Sequence, residues 1–157
     1  MLNQVNTDYI GIGKSVDCEN QKLVPGNSKA KWGLDILFKK NLNSSISHLP
    51  QFSSPRVQIV KLNLDVPIIL INVYIPSSSC PESEYDAELA RLSAAFDAHS
   101  TEGAIILFGD FNRSLYRANQ SDRKFQKFCH TQGLTPAHGT TDRPTYHIPQ
   151  QHSQPYR

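Results

Sequence analysis

Apolar and polar positions alternate with a period of two over residues 56–64 (RVQIVKLNL). Val57, Ile59, Lys61 and Asn63 take one side, and Gln58, Val60, Leu62 and Leu64 the other. That period marks a strand. Asp65 predicts a tight turn, after which residues 67–75 (PIILINVYI) form a second, more continuously apolar strand. The two are expected to pair as an antiparallel hairpin, the second more deeply buried. The period then changes. Tyr85, Leu89, Leu92 and Phe96 fall at i, i+4, i+7 and i+11, a single apolar stripe along a helix. Ser79 or Cys80 is its predicted cap; Pro81 suits the first turn, and Glu82 and Glu84 the positive end. His99, Ser100 and Gly103 close it. Residues 104–108 (AIILF) carry no polar side chain and read as a central strand covered on both faces. A shorter helix is predicted over residues 121–131, capped by Ser121, with Phe125, Phe128 and Cys129 inward and Gly133 as its stop.

The remaining segments are weaker. Residues 8–13 (DYIGIG) and 33–40 (GLDILFKK) read as strands, and residues 17–30 as a loop around Pro25, Gly26 and Asn27. Residues 41–55, rich in Ser and Asn, are expected to be irregular. Residues 135–157, rich in Pro, Gln and His, form an expected poorly ordered tail in which only residues 145–148 resemble a strand. Strands before and after helices, plus a hairpin, predict an α/β or α+β layered domain. The 157 residues suffice for one such domain with a real core.

Charge changes this picture little. A net charge of +2 is too mild to argue for a nucleic-acid partner and no obstacle to one. Cys18, Cys80 and Cys129 are odd in number and widely spaced, which favours a reducing compartment over a disulfide framework. The N-terminus lacks a basic region followed by an apolar stretch, and no apolar run approaches a bilayer's width, so an intracellular protein without membrane spans is expected.

Candidate chemistry enters where the apolar strand ends, in GDFNR, residues 109–113. Side chains at i and i+2 of an extended segment point the same way, so Asp110 and Asn112 are expected on one side, with Phe111 anchored in the core. Gly109 permits a bend or a close approach by substrate. An ionised Asp can take a proton or ligate a hard cation. An Asn amide can donate to a phosphate oxygen. Phosphoester hydrolysis makes those demands. On residue type alone the signal is modest, because Asp-x-Asn at a strand end is more often a turn former. Arg113, Arg117, Arg123, Lys124 and Lys127 flank this exit against the single acid Asp122. They read either as a phosphate-tracking group or as a solvated helix face.

GDFN after an apolar strand, with NVYIPS (residues 72–77) ending an earlier one and a helix between, resembles the endonuclease/exonuclease/phosphatase superfamily. GLDILFKK, RPTYHI (residues 143–148) and the opening NTDYIGIGKSVD resemble segments of its non-LTR (LINE-type) retrotransposon endonucleases. The resemblance implies a partial deoxyribonuclease-I-like fold, two packed mixed sheets flanked by helices. It implies a Mg2+-dependent phosphodiesterase acting on DNA, with a nuclear location open to it. It implies Asp110 as the carboxylate that positions or activates water and touches Mg2+, and Asn112 as its partner on the scissile phosphate. It further implies Tyr74 with a hydroxyl near that phosphate, and Arg113 and Thr145 as substrate contacts.

The family pattern also has a metal-binding Glu near its start and an Asp-His pair at its end. Neither is found here: Glu19 lies in a polar loop, and His147 and His152 have no paired Asp. The domain is therefore expected to be incomplete over residues 1–157, weak or inactive, and prone to self-association through unpaired sheet edges. A non-catalytic remnant, one that binds nucleic acid or does nothing, is the alternative, and a phosphatase for a small substrate a minor one. Asp35 stands where the relatives have a small apolar residue, and Trp32 where they have glycine. An unpaired carboxylate buried in a central strand would be costly.

Overall fold

The computed structural model describes residues 8–15 and 33–137. Six strands lie there, β1 (Tyr9–Ser15), β2 (Gly33–Lys39), β3 (Ile46–His48), β4 (Val57–Leu62), β5 (Ile68–Tyr74) and β6 (Ala104–Asp110). The helices are α1 (Glu82–His99) and α2 (Gln120–Thr131). A four-stranded mixed sheet has the order β3-β4-β5-β6, and β1 and β2 form a separate antiparallel pair. The architecture is α+β. Among the described residues no helix is long and apolar enough to cross a membrane.

The period-two reading of β4 holds in three dimensions. Val57 pairs with Val73 and Ile59 with Ile71, which puts the odd-numbered residues of both strands on one face. That face receives the helices. Val57, Ile59, Ile69, Ile71, Val73 and Ile75 pack with Tyr85, Leu92, Ala95 and Phe96 of α1 and with Phe125, Phe128 and Cys129 of α2. Phe96 meets Phe128 edge to face at 5.9 Å. Full burial of a side chain such as Leu92 is worth about 1.5–3 kcal/mol.

The opposite face carries the β1–β2 pair. Gln58 donates its amide N–H to the Ile12 carbonyl (2.5 Å), and Asn72 donates to the Asp35 carbonyl (3.3 Å). These side-chain bonds tie one sheet to the other.

Several expectations need correction. Residues 41–55 are not irregular throughout: a 3-10 turn (Lys40–Ser45), β3 and a second 3-10 turn (Pro50–Phe52) lie there. Three residues of pairing leave too short a period to read. No Ser79 or Cys80 side chain caps α1; Pro81 occupies the cap position without a side-chain bond. The cap of α2 is Asn119, not Ser121. Asp35 is exposed and costs no buried charge, because β2 alternates and turns Asp35 outward. The largest change concerns β6. Among the described residues it is an edge strand, with Ile106 47% and Phe108 37% exposed. An unbroken apolar run does not reveal whether a neighbour lies beyond it. The tail from 138 onward, with Thr145, His147 and His152, lies outside the described residues, as do Cys18, Glu19 and Trp32.

Candidate functional site

The crossover β5–α1–β6 makes β5 and β6 parallel, in the register Tyr74↔Asp110. Two of the sequence-predicted site residues therefore stand side by side at the carboxyl ends of neighbouring strands, about 4.8 Å apart along the hydrogen-bonding direction. Ligands of α/β sheets bind at such ends. Both residues belong to the even-numbered set, on the face away from the helices. Asp110 is exposed and Tyr74 half-buried.

The exit from β6 is built by three residues. Gly109 has φ of +126°, and a Cβ there would lie 2.0 Å from the Val73 carbonyl oxygen. Only glycine fits. The close approach is thus to the protein's own β5 backbone, not to a substrate. The carbonyl of Asp110 accepts the N–H of Ile75 (2.8 Å), the last backbone rung of the parallel ladder. Asn112 then supplies a rung from its side chain, donating Nδ2–H to the Ile75 carbonyl (2.9 Å). Its own N–H donates to Asp110 Oδ1 (2.9 Å), and its φ is +49°. Asp110 and Asn112 therefore form an Asx turn, a conformation Asn tolerates. The i, i+2 rule fails because β6 ends at Asp110 and the chain leaves extended geometry there. The turn-former reading of the pair is realised, and it leaves the Asp110 carboxylate in solvent.

Phe111 is anchored as expected, stacked on Phe125 at 4.8 Å. Arg113 is not brought to the rim. Its guanidinium sits over the ring of Tyr85, 4.3 Å from the centroid, and Nη1 donates to the Asn112 carbonyl (2.9 Å). Burial pushes the Tyr85 hydroxyl well above the ordinary tyrosine range, against the opposing pull of the Arg113 charge. Burial likewise pushes the Cys129 thiol up to about 11, which removes it as a nucleophile near neutral pH.

The basic group of residues 113–127 is largely committed internally. Arg117 pairs with Asp122 (3.0 Å), and Lys124 with Glu82 and Asp86 (2.8 Å each). Hydrogen bonds to Asp86 and then Glu82 raise the Lys124 pKa, so its charge is held in the pairing. Arg123 and Lys127 remain exposed on α2.

Sequence reading missed Asp122. It is fully buried; Oδ1 accepts the Ser114 N–H (3.0 Å) and a bond from Arg117 Nη2 (3.3 Å). Oδ2 lies 3.0 Å from Arg117 Nε, within ion-pair range but off the hydrogen-bonding direction. Gln126 adds bonds to the carbonyls of Ser114 and Arg117. Together they clasp the loop that follows the rim onto α2. A signal existed: Asn119 three residues before Asp122 is capping-box spacing.

The metal question can be put to these atoms. Mg2+ takes near-octahedral oxygen ligation, usually from one or two carboxylates with waters and substrate phosphate. Asp110 is a single carboxylate with one oxygen already accepting an N–H. Among the described residues no group of three or more His, Cys, Asp or Glu could hold a metal ion. The described residues do not make a Mg2+ site. Comparison of the chain with protein-family models, curated proteins and solved structures found no match.

Proposed function

We propose that the rim at the carboxyl ends of β5 and β6 is half of a phosphodiesterase site of the deoxyribonuclease-I-like kind. On this reading the chain is a weak DNA phosphodiesterase related to the LINE-type retrotransposon endonucleases. The observation that carries it is the register Tyr74↔Asp110, which sets a phenol beside an exposed carboxylate where parallel strands end. Asp110 would accept a proton from an attacking water, and the Tyr74 hydroxyl would donate to a phosphate oxygen. Asn112 acts here by fixing the turn that aims Asp110. Turnover is expected to be slow, because phosphoryl-type transition states need positive charge close by and Arg113 is turned to Tyr85.

Relaxation of supercoiled plasmid tests this, since one nick in the circle registers. Slow nicking is expected from the folded chain, lost in Asp110→Ala and kept in Asp35→Ala, another exposed acid. Plasmid left intact by a chain with native circular dichroism sinks the enzyme. A non-catalytic remnant of the same domain would then stand, a reading favoured by the single carboxylate at the rim among the described residues.

A further inference from the structure

The outer edge of β6 offers a second kind of recognition, independent of any catalysis. Along β6 the even-numbered residues direct their backbone groups to β5, as the bonds Ala104 N–H to the Pro67 carbonyl and Ile75 N–H to the Asp110 carbonyl show. N–H and C=O of one residue point to the same side of a strand, and the side alternates. The N–H and C=O groups of Ile105, Leu107 and Gly109 therefore face the edge that no other described strand pairs with. Ala104 to Gly109 contains no charge and no proline, and among the described residues nothing covers this edge. The opposite edge of the sheet is different: β3 is three residues long and flanked by 3-10 turns.

We infer that β6 pairs with β6 of a second copy of this chain, antiparallel about a two-fold axis at Leu107, to make one continuous sheet across the dimer. The register follows from the side chains. Only registers that bring Ile105, Leu107 and Gly109 opposite one another let outward N–H and C=O groups meet. Centred on Leu107, Ile105 faces Gly109 of the partner, and Leu107 faces its own copy. On the exposed face Ile106 then lies against Phe108 of the second copy, and the reverse. Apolar pairs of this kind add to the stability that the backbone bonds give. The side chains covered are the ones now 47% and 37% exposed. Asp110 falls opposite Ala104, the smallest side chain of the strand. A shift of the axis to Phe108 would set Asp110 against Ile106, and a shift to Ile106 would set it against Glu102; both are unfavourable. Of these three registers, the one centred on Leu107 matches the strand to itself best.

Sedimentation equilibrium at rising concentration, with hydrogen exchange of the Ile105, Leu107 and Gly109 amides, tests the pairing. A monomer–dimer equilibrium is expected, with exchange at those amides slowing as dimer forms. Phe108→Lys and Ile106→Lys are both solvent-side changes, and each is expected to give a monomer with unchanged circular dichroism. Register is read separately. Ile106→Cys and Phe108→Cys chains, mixed and oxidised, should cross-link to each other well above either variant alone or the unsubstituted chain. A monomer at about 100 µM overturns the proposal, as does a dimer indifferent to Phe108→Lys. Protection of the three amides at all concentrations in a monomer would mean that the chain's own remaining residues cover the edge, and would overturn it too.

Discussion

Gly109 and Asp122 show how unequally single residues reveal their duties. Gly109 is visible in the sequence as a break after five apolar residues, but its reason is not. The reason is the Val73 carbonyl, 2.0 Å from where a Cβ would be, and that contact depends on the register of β5 against β6. Gly109→Ala must accept a positive φ and push a backbone apart. A loss of roughly 3 kcal/mol or more in urea unfolding is expected, with the Asp110 turn displaced. Asp122 was legible as an acid on a helix and no further, because its partners Ser114 and Arg117 sit on a loop that folds back only in the tertiary structure. Asp122→Ala leaves the Ser114 N–H unpaired, while Arg117, 60% exposed, returns to water. A loss of about 2 kcal/mol is expected, less than for a fully buried ion pair. That Asp110 and Tyr74 each end an apolar strand was legible in the sequence. The role of Asn112 as a side-chain rung on Ile75 was not, because the chain there no longer obeys strand periodicity.

At the scale of elements, existence and type were readable and termini were not. The stripe on α1 and the inward trio Phe125, Phe128 and Cys129 on α2 are where periodicity puts them. The end of α2 is also as expected. Gly133 has φ of +64°, Leu134 N–H reaches the Cys129 carbonyl and Gly133 N–H the His130 carbonyl, the paired bonds of a Schellman end. The start was misplaced by two residues because Asn119 and Ser121 are both capping types. Asn119 Oδ1 accepts the Asp122 N–H (2.8 Å), whereas Ser121 only donates its hydroxyl to Asn119 (2.9 Å). Thermal denaturation should tell them apart. Asn119→Ala is expected to cost about 1 kcal/mol, and Ser121→Ala no more than about 0.5 kcal/mol.

For the whole molecule, the mixed α+β class was legible from the order of elements, but the place of β6 in the sheet was not. Sheet order is decided by long-range pairing, which no local pattern encodes. Burial sets the response to pH. The folded state holds the protons of Cys129 and Tyr85 more tightly than the unfolded chain does, so their contribution is complete below the ordinary thiol value of 9.0. The Cys129 part is lost as pH rises through about 11, and the Tyr85 part only at higher pH. Lys124, raised by its acids, works in the same direction. On the acid side Glu102, lowered first by Lys61 and then by His99, contributes above the ordinary carboxylate value and loses this as pH falls. The urea midpoint is therefore expected to drop between pH 9 and 11, and Cys129→Ala to flatten that drop. The bonds between the two sheets carry a different consequence. Gln58 and Asn72 grasp the carbonyls of Ile12 and Asp35, not their side chains. Main-chain oxygens are the same whatever residue bears them. The outer strand pair is thus free to drift in sequence over generations at outward positions such as Asp35, while buried Phe38, Gln58 and Asn72 keep it attached.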